Sequence, residues 1–257
     1  LIAVPDMNDV YHPTDEFKDF PVDFSPKTDE DMYNLATTLE GYVLFDKITP
    51  LFTGYTNKEG TFVFNVNKEY QPKGLYLIIG EQHTQDNIIY TSEAFAVFLP
   101  STDNDGNVQY EITAHAKYNT IHQNPPPTSR KVIKIWNDKN AEADRPESIE
   151  VTLLKNGKAY ETVELNKDNN WTHFWYDLDG TARWNIIEKP VNDYKIVLTS
   201  VGNTYYFTNI KKVTPPPPEN LPQTGQLWWP VPVLAVLGLI FITIGAVCFY
   251  KKKKIEE

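Results

Sequence analysis

The chain has 257 residues, of which 41% are hydrophobic and 13% aromatic, and its formal net charge is −10 at pH 7. This hydrophobic content can supply two ordinary domain cores and excludes a wholly disordered chain. Nucleic acid is not an expected partner, because binding a phosphate backbone requires a basic face and no Lys/Arg-rich stripe occurs before Lys251.

Residues 1–119 are predicted to form a first β-sandwich domain of short strands separated by turns. Segments with strand character run over residues 56–66, 73–82, 93–100 and 108–119. Asp105-Gly106 predicts a hairpin turn just before the last of these segments. Residues 1–4 have the character of the tail of a strand, and no signal peptide is visible, so we expect the natural chain to begin earlier.

One short helix is predicted in this first domain, over residues 29–40. Asp29 is its predicted cap, and Met32, Leu35 and Leu39 fall on one side at helical spacing.

Residues 74–77 (GLYL) and 95–100 (FAVFLP) resemble successive strands in the amino-terminal domain of sortase-assembled pilins. In that family the next strand ends in a Tyr-Pro-Lys-Asn motif; here residues 115–119 (HAKYN) keep the lysine and replace the tyrosine and proline. The resemblance implies that Lys117 is the amine joined to the carboxyl-terminal threonine of the next subunit. The alternative is an ordinary exposed lysine at a strand end.

A proline-rich linker over residues 120–129 precedes a second predicted β-sandwich, residues 130–213, of about 85 residues. Short alternating segments fill this region, and no stretch has a sustained helical period. Asn156-Gly157 predicts a tight hairpin, and Asp179-Gly180 predicts another turn.

This second region resembles the Cna B-type domain, an immunoglobulin-like module of Gram-positive adhesins and pilins. The matching elements, in order, are residues 134–138 (KIWND), Arg145-Pro146, Leu153-Leu154 with Asn156-Gly157, Asn170-Trp171, Glu188 and Thr208-Asn209. The resemblance implies that Lys134 and Asn209 condense into an intramolecular isopeptide bond, assisted by buried Glu188. Such a bond forms once per molecule, so no enzyme with turnover is implied.

Strand alternation supports this chemistry, because Lys134, Glu188 and Asn209 each share a strand face with predicted core residues. Burial favours a neutral lysine amine and a protonated glutamate, since desolvation penalises both charged forms. A neutral amine can attack an amide whose carbonyl is polarised by a carboxylic acid. The alternative is a buried Lys134–Glu188 salt bridge, with Asn209 merely ending a strand. The lone cysteine, Cys248, lies outside both predicted domains, so disulfides cannot brace them.

Near the carboxyl terminus, residues 214–220 are predicted to form a polyproline stalk. An uncharged hydrophobic run follows at residues 231–250. As a helix this run would span roughly 30 Å, the thickness of a bilayer core. Trp228-Trp229 precede the run and lysines 251–254 follow it, which predicts a transmembrane helix whose far end is cytoplasmic.

Just before the run lies the pentapeptide formed by Leu221, Pro222, Gln223, Thr224 and Gly225. Together with the hydrophobic run and the basic tail, residues 221–257 resemble the cell-wall sorting signal (LPxTG) of Gram-positive surface proteins. The resemblance implies that sortase cleaves between Thr224 and Gly225 and joins Thr224 to peptidoglycan or to another pilin subunit. The alternative is a permanent single-pass membrane protein.

The sequence therefore predicts an all-β chain: two immunoglobulin-like (Cna B-type) sandwich domains in tandem, a polyproline stalk and a C-terminal transmembrane helix. The expected role is that of a minor pilin subunit, basal in preference to tip, that is secreted and anchored to the cell wall. The alternative role is a wall-anchored adhesin whose first domain binds a host surface ligand. No metal or cofactor is expected, because the five histidines are scattered and no nucleotide or hydrolase motif occurs.

Overall fold

In the computed structural model, the described residues are 1–64, 73–102, 105–139, 141–212, 234–240 and 242–245. They belong to two compact units, Leu1–Lys212 and Val213–Glu257. Within the second unit, residues 234–240 and 242–245 are helical. No helix among the described residues is both long and apolar enough to cross a membrane. The predicted stalk (214–220) and sorting motif (221–225) lie outside the described residues, as does part of the predicted span (231–250).

The described residues of the N-terminal region, up to His122, include nine short strands and one helix. The strands are β1 (Ala3–Pro5), β2 (Tyr11–Pro13), β3 (Gly74–Ile78), β4 (His83–Gln85), β5 (Ile88–Ser92), β6 (Phe95–Leu99), β7 (Ser101–Thr102), β8 (Val108–Gln109) and β9 (Tyr118–His122). They form a four-stranded sheet in the order β2-β1-β3-β6, a three-stranded sheet in the order β4-β5-β9, and a β7-β8 ribbon. All pairs in these sheets are antiparallel.

Several strand predictions for this region are confirmed and two are wrong in part. The β7-β8 ribbon, with Gly106 at φ 85°, confirms the predicted hairpin. The predicted strand over 108–119 is interrupted: residues 108–109 belong to β8, residues 118–119 belong to β9, and the residues between them belong to no strand. Residues 56–64 form no strand, because Asn57 Oδ1 accepts hydrogen bonds from the backbone N–H groups of Glu59 (3.1 Å) and Thr61 (2.8 Å). These bonds stabilise a turn that competes with strand pairing.

The helix α1 (Asp29–Asp46) begins at residue 29 as predicted, but its cap and its carboxyl-terminal end differ from the prediction. Its cap is Thr28, not Asp29: Asp31 N–H donates to Thr28 Oγ1 (3.0 Å), and Thr28 N–H donates to the Asp31 carboxylate (3.1 Å). This reciprocal pair is a capping box. The helix also continues beyond residue 40 to Asp46, and the residue that caps its carboxyl-terminal end, Lys47, adopts a left-handed conformation (φ 54°).

Gly41 is the first residue of this unpredicted extension, and it packs against Ile186 and Ile187 of the following domain. A Cβ at this position would lie 2.8 Å from Ile187 Cγ2 and 2.9 Å from the Ile186 carbonyl oxygen. Glycine lowers helix propensity, but here its missing side chain permits the close contact. Tertiary packing therefore outweighs the local signal that ended the predicted helix.

Residues 128–211 form a β-sandwich, as predicted. Its strands are β10 (Thr128–Asn137), β11 (Ser148–Lys155), β12 (Lys158–Asn166), β13 (Thr172–Leu178), β14 (Trp184–Glu188), β15 (Tyr194–Val201) and β16 (Thr204–Lys211), with a 3-10 turn at Glu142–Asp144. One sheet has the order β13-β10-β16-β15 and the other β12-β11-β14. Asn156 and Gly157 both have positive φ (53° and 74°), which confirms the predicted β11-β12 hairpin.

The two sheets enclose one hydrophobic core, to which every strand of the sandwich contributes. Its buried side chains are Val132, Ile149, Val151, Leu153, Leu165, Trp175, Leu178, Ala182, Trp184, Ile186, Ile196, Leu198 and Phe207. Within the described sheets, β10 and β16 make the only parallel pair, so the first and last strands of the sandwich are direct neighbours.

Helix α1 covers the side of the sandwich where β14 and β15 are edge strands. Two outward N–H groups of β15 find partners there: Leu198 donates to Thr38 Oγ1 (2.9 Å), and Ile196 donates to the Pro21 carbonyl (2.5 Å). Covering an edge in this way satisfies backbone groups that would otherwise be free to pair with another chain. The N-terminal region and the sandwich thus belong to one compact unit, whereas a second complete sandwich in the N-terminal region stays a prediction.

Candidate functional site

Three polar side chains, Lys134, Glu188 and Asn209, meet inside the sandwich. Lys134 lies on β10 and Asn209 on the adjacent β16, where Lys134 pairs with Phe207 and Trp136 pairs with Asn209. The side chains of Lys134 and Asn209 therefore lie on the same face of this sheet, and their positions differ by two residues in register. Glu188 is the last residue of β14 in the facing sheet, so the cluster bridges both sheets.

Glu188 contacts both partners. Lys134 Nζ donates to Oε1 (2.9 Å) and to Oε2 (2.7 Å), and Asn209 Nδ2 donates to Oε1 (2.6 Å). The amine and the amide are thus within hydrogen-bond distance of the same carboxylate oxygen. As they stand, these contacts make the buried ion pair that sequence analysis left as the alternative, with the amide as its third member.

The cluster is fully excluded from solvent, because the side chains of Lys134 and Glu188 are 0% exposed and Asn209 is also buried. Burial lowers the pKa of Lys134 to about 8, although the Glu188 carboxylate opposes the change. Burial also raises the pKa of Glu188, against the effects of Lys134 and Asn209. Both shifts favour the neutral forms, so one proton transfer over 2.7 Å converts the ion pair into an amine and a carboxylic acid.

Asn209 Oδ1 is buried and has no hydrogen-bond partner among the described residues. Rotation of the amide by half a turn would bring Oδ1 to the Glu188 carboxyl. A protonated Glu188 would then donate a hydrogen bond to Oδ1 and polarise the carbonyl for attack at Cγ. The cluster therefore contains a nucleophile, a proton carrier and an electrophile in one dry pocket.

Aromatic side chains line the pocket near the end of β10. The Trp136 ring centre lies 4.7 Å from Lys134 Nζ and packs edge-on against Tyr194 at 5.1 Å. Arg145 holds this end of the strand in place through two hydrogen bonds to Asp138, from Nε (2.6 Å) and from a terminal nitrogen (2.8 Å). Forked pairs of this kind fix geometry as well as charge.

A second buried polar cluster, which sequence analysis missed, joins α1 to the sandwich. Glu40 pairs with Arg183 through one carboxylate oxygen and accepts from Asn185 Nδ2 (3.0 Å) through the other. Arg183 also donates to the backbone carbonyls of Gly80 (2.6 Å) and Ser92 (3.2 Å). Burial raises the pKa of Glu40, with Arg183 opposing. The available signal was an acidic residue beside the apolar stripe of a predicted helix.

The other predicted site residues lie away from the buried cluster or outside the described residues. Lys117 is exposed just before β9, and its carbonyl accepts a hydrogen bond from Glu93 N–H (2.8 Å). The sorting motif, residues 221–225, is outside the described residues. In the described part of the chain, no group of three or more His, Cys, Asp or Glu residues could hold a metal ion.

Comparison with known proteins identifies the sandwich. Residues 130–210 match the family model described as "Cna protein B-type domain". A collagen adhesin of Staphylococcus aureus is 36% identical over 124 residues, which cover 44% of this chain and 10% of that protein. The chain thus matches about a tenth of the length of this relative.

Two solved structures are also similar. One is a single B repeat unit of the collagen-binding surface protein Cna of Staphylococcus aureus (22% identity, 49% of this chain, 86% of that chain, TM-score 0.32). The other is the full-length major pilin RrgB of Streptococcus pneumoniae (18% identity, 51% of this chain, 21% of that chain, TM-score 0.31). From the family match and the strand arrangement, residues 130–210 form a Cna B-type domain, an immunoglobulin-like fold.

Proposed function

We propose that this protein is a structural surface protein of a Gram-positive bacterium, a minor pilin subunit at the base of a fibre. The observation that carries the proposal is the buried contact of Glu188 with both Lys134 and Asn209. A Cna B-type domain with this cluster suits a covalently stiffened fibre component. Catalysis with turnover has no part in this role, because the cluster is closed to solvent and reacts once.

The reaction begins when Glu188 takes one proton from the Lys134 ammonium group. The neutral Nζ attacks Cγ of Asn209 and forms the Nζ–Cγ bond. As the tetrahedral intermediate collapses, Nζ loses a second proton and Nδ2 gains one through the Glu188 carboxyl. The Cγ–Nδ2 bond then breaks and ammonia leaves, so the products are an amide bond and one ammonia molecule.

The resulting bond would tie β10 to β16, the strands by which the chain enters and leaves the sandwich. A pulling force on the chain would then pass through the covalent tie instead of opening the sheets. By analogy with a disulfide that closes a long loop, the tie would add about 4 kcal/mol to the free energy of unfolding. This stabilisation is available without disulfides, since the lone cysteine lies at position 248.

In the same proposal, sortase cleaves between Thr224 and Gly225 and transfers Thr224 to peptidoglycan. The supporting observation is the order of the LPQTG pentapeptide, the hydrophobic run and the basic tail in the sequence. Lys117 would receive the carboxyl-terminal threonine of the adjoining subunit, and its exposure suits that role. Sortase, other pilin subunits and the cell wall are the proposed partners.

A second candidate is a wall-anchored adhesin that binds a host surface ligand through its N-terminal region. The observation in its favour is the 36% identity to a segment of a protein named collagen adhesin. Both candidates share the isopeptide bond and the wall anchor, and they differ in the role of Lys117.

Cell-wall fractionation tests the surface assignment. The chain would be expressed with a sortase in a Gram-positive host and compared with its Thr224→Ala variant, using Thr214→Ala as a matched control. We expect wall-linked protein from the parent and the control, and protein only in membrane and medium fractions from Thr224→Ala. Wall linkage of Thr224→Ala equal to that of the parent would overturn the proposed anchoring.

A further inference from the structure

Helix α1 reaches the candidate cluster through Tyr42. The buried Tyr42 hydroxyl donates a hydrogen bond to the backbone carbonyl of Glu188 (2.5 Å). β14 is an edge strand of its sheet and Glu188 is its last residue, so this carbonyl finds its partner in the helix. The hydroxyl therefore fixes the backbone from which the Glu188 carboxyl extends into the pocket.

Packing around Tyr42 holds the helix close to β14. Its ring contacts the Phe20 ring at a centroid distance of 5.2 Å and joins Leu154 and Ile187 in one small buried cluster. At the preceding residue of the helix, Gly41, no side chain separates the helix from the strand. The contact is thus built from both a hydrogen bond and close apolar packing.

An undocked helix would change the chemistry of the pocket in two ways. Water would reach the β14 edge and the end of the strand, and solvation would favour the charged forms of Lys134 and Glu188 over the neutral forms that react. The Glu188 backbone would also lose its fixed position, and a displacement of about 1 Å at a reacting group can cost on the order of 100-fold in rate.

We propose that Tyr42 is a positioning residue for the bond between Lys134 and Asn209, and that α1 must dock on β14 before this bond forms rapidly. The inference rests on the proposed isopeptide chemistry, and it adds a dependence of that chemistry on the N-terminal region. The sandwich in this protein would therefore mature only after the region preceding it has folded against it.

The experiment follows the loss of ammonia by intact-mass spectrometry after cell-free synthesis of the full chain, in which release from the ribosome starts the clock. Tyr42→Phe keeps the ring and removes the hydroxyl. Tyr33→Phe, at an exposed tyrosine of the same helix, is the matched control. Gly41→Ala is the second test variant: it raises helix propensity, keeps every polar group, and separates α1 from β14 by a methyl group.

Thr38→Val separates positioning from general stability. It removes the hydroxyl that accepts from Leu198 N–H and leaves the contact with Glu188 intact. We expect Tyr42→Phe and Gly41→Ala to mature about tenfold more slowly per folded molecule. Tyr33→Phe and Thr38→Val should mature at the parental rate, even where Thr38→Val lowers the free energy of unfolding.

Each outcome decides between distinct possibilities. If Tyr42→Phe and Gly41→Ala fold and mature at the parental rate, the inference is overturned while the bond chemistry stands. If only unfolded Tyr42→Phe is obtained, the rate of Gly41→Ala decides the matter in the same way. If Thr38→Val slows maturation as much as Tyr42→Phe, the effect belongs to stability and the positioning role is refuted. If the parent itself never loses ammonia, the proposed function fails first.

Discussion

Lys134 Nζ lies 2.9 Å and 2.7 Å from the two carboxylate oxygens of Glu188, and both side chains are fully buried. An ion pair without solvent is costly unless its geometry and hydrogen bonding are complete. Here the third member, Asn209, completes the contacts of one carboxylate oxygen. The same arrangement places the charged groups where a proton transfer and loss of ammonia would remove both charges.

Replacement of the lysine tests its role in the bond. We expect Lys134→Met to keep the mass calculated from its sequence and to unfold at lower denaturant concentration, with a loss of about 4 kcal/mol from the missing tie. Lys131→Met is the control, because Lys131 lies on the same strand and its Nζ is 4.7 Å from the centre of the half-exposed Phe174 ring. An ammonia deficit that persists in Lys134→Met would place the bond elsewhere.

The carboxyl group of Glu188 is expected to carry the proton. Glu188→Gln keeps the size and one hydrogen-bond acceptor but cannot exchange a proton, so bond formation should slow by about 100-fold or more. Glu150→Gln serves as the control, since Glu150 on β11 forms an exposed pair with Lys189, the residue that follows β14. Time-resolved intact mass measures the rates, and parental maturation in Glu188→Gln would rule out the assisting role.

In a variant that cannot form the bond, the buried ionisable groups should make the free energy of unfolding depend on pH. Burial lowers the pKa of Lys134 in the folded parent to about 8, and Asn209→Ala should leave this cause in place, whereas the unfolded residue keeps its proton to about 10.5. The unfolded state then binds more protons between these values, so the free energy of unfolding should rise with pH from about 8 to 10.5. Glu188 has the opposite effect on the free energy of unfolding, because burial raises its folded pKa above 4.5. The stability that its protonated form contributes is lost as pH rises through the folded pKa.

Denaturant titrations over this pH range measure whether the free energy of unfolding rises or falls with pH. Lys134→Met in the Asn209→Ala background is the reference, so the difference between the two variants isolates the lysine. Between about pH 8 and 10.5, we expect the free energy of unfolding of Asn209→Ala to rise by a few kcal/mol relative to that of the double variant. A flat difference would show that Lys134 titrates normally in the folded protein.

The contact between Glu40 and Arg183 should dominate the polar part of the interface between α1 and the sandwich. Arg183→Met leaves Glu40 buried without its cation, and we expect a loss of about 3 kcal/mol in the free energy of unfolding. Adding Glu40→Gln should recover part of the loss. Lys158→Met, at an exposed position on β12, is the control and should change stability by about 0.5 kcal/mol or less. Equal effects at both positions would contradict the assigned role.

Lys117 separates the two proposed roles. In a host that carries the sortase and partner pilins, Lys117→Ala should abolish the high-mass ladder of wall extracts, whereas Lys58→Ala, an exposed lysine in the same region, should preserve it. Immunoblotting of wall extracts gives the result. An intact ladder together with lost binding to host cells would favour the adhesin.

Local pattern predicted the second domain well, because its strands alternate and Asn156-Gly157 fixes one hairpin. The same alternation predicted that Lys134, Glu188 and Asn209 face the core, although their pairing across two sheets depends on the topology of the whole domain. The capping box at Thr28 and Asp31 was also readable as a Thr-x-x-Asp pattern before an apolar run.

The docking of α1 was not predictable in the same way. Tyr42 and Glu188 are far apart in sequence, and the partner of a buried tyrosine hydroxyl is not encoded by any local period. Likewise, Glu40 in isolation looks like an ordinary helix surface residue, and only the fold brings it to Arg183. The helix prediction stopped at residue 40, whereas Gly41 continues the helix because its role is contact with another element, which propensity does not describe.

The mass of the purified chain, followed by peptide mapping, decides whether Lys134 and Asn209 are joined. We expect a mass lower than the sequence mass by one ammonia, about 17 Da, and a branched peptide in which Lys134 is joined to Asn209. A full sequence mass, with Lys134 and Asn209 recovered on separate unmodified peptides, would show that the bond does not form.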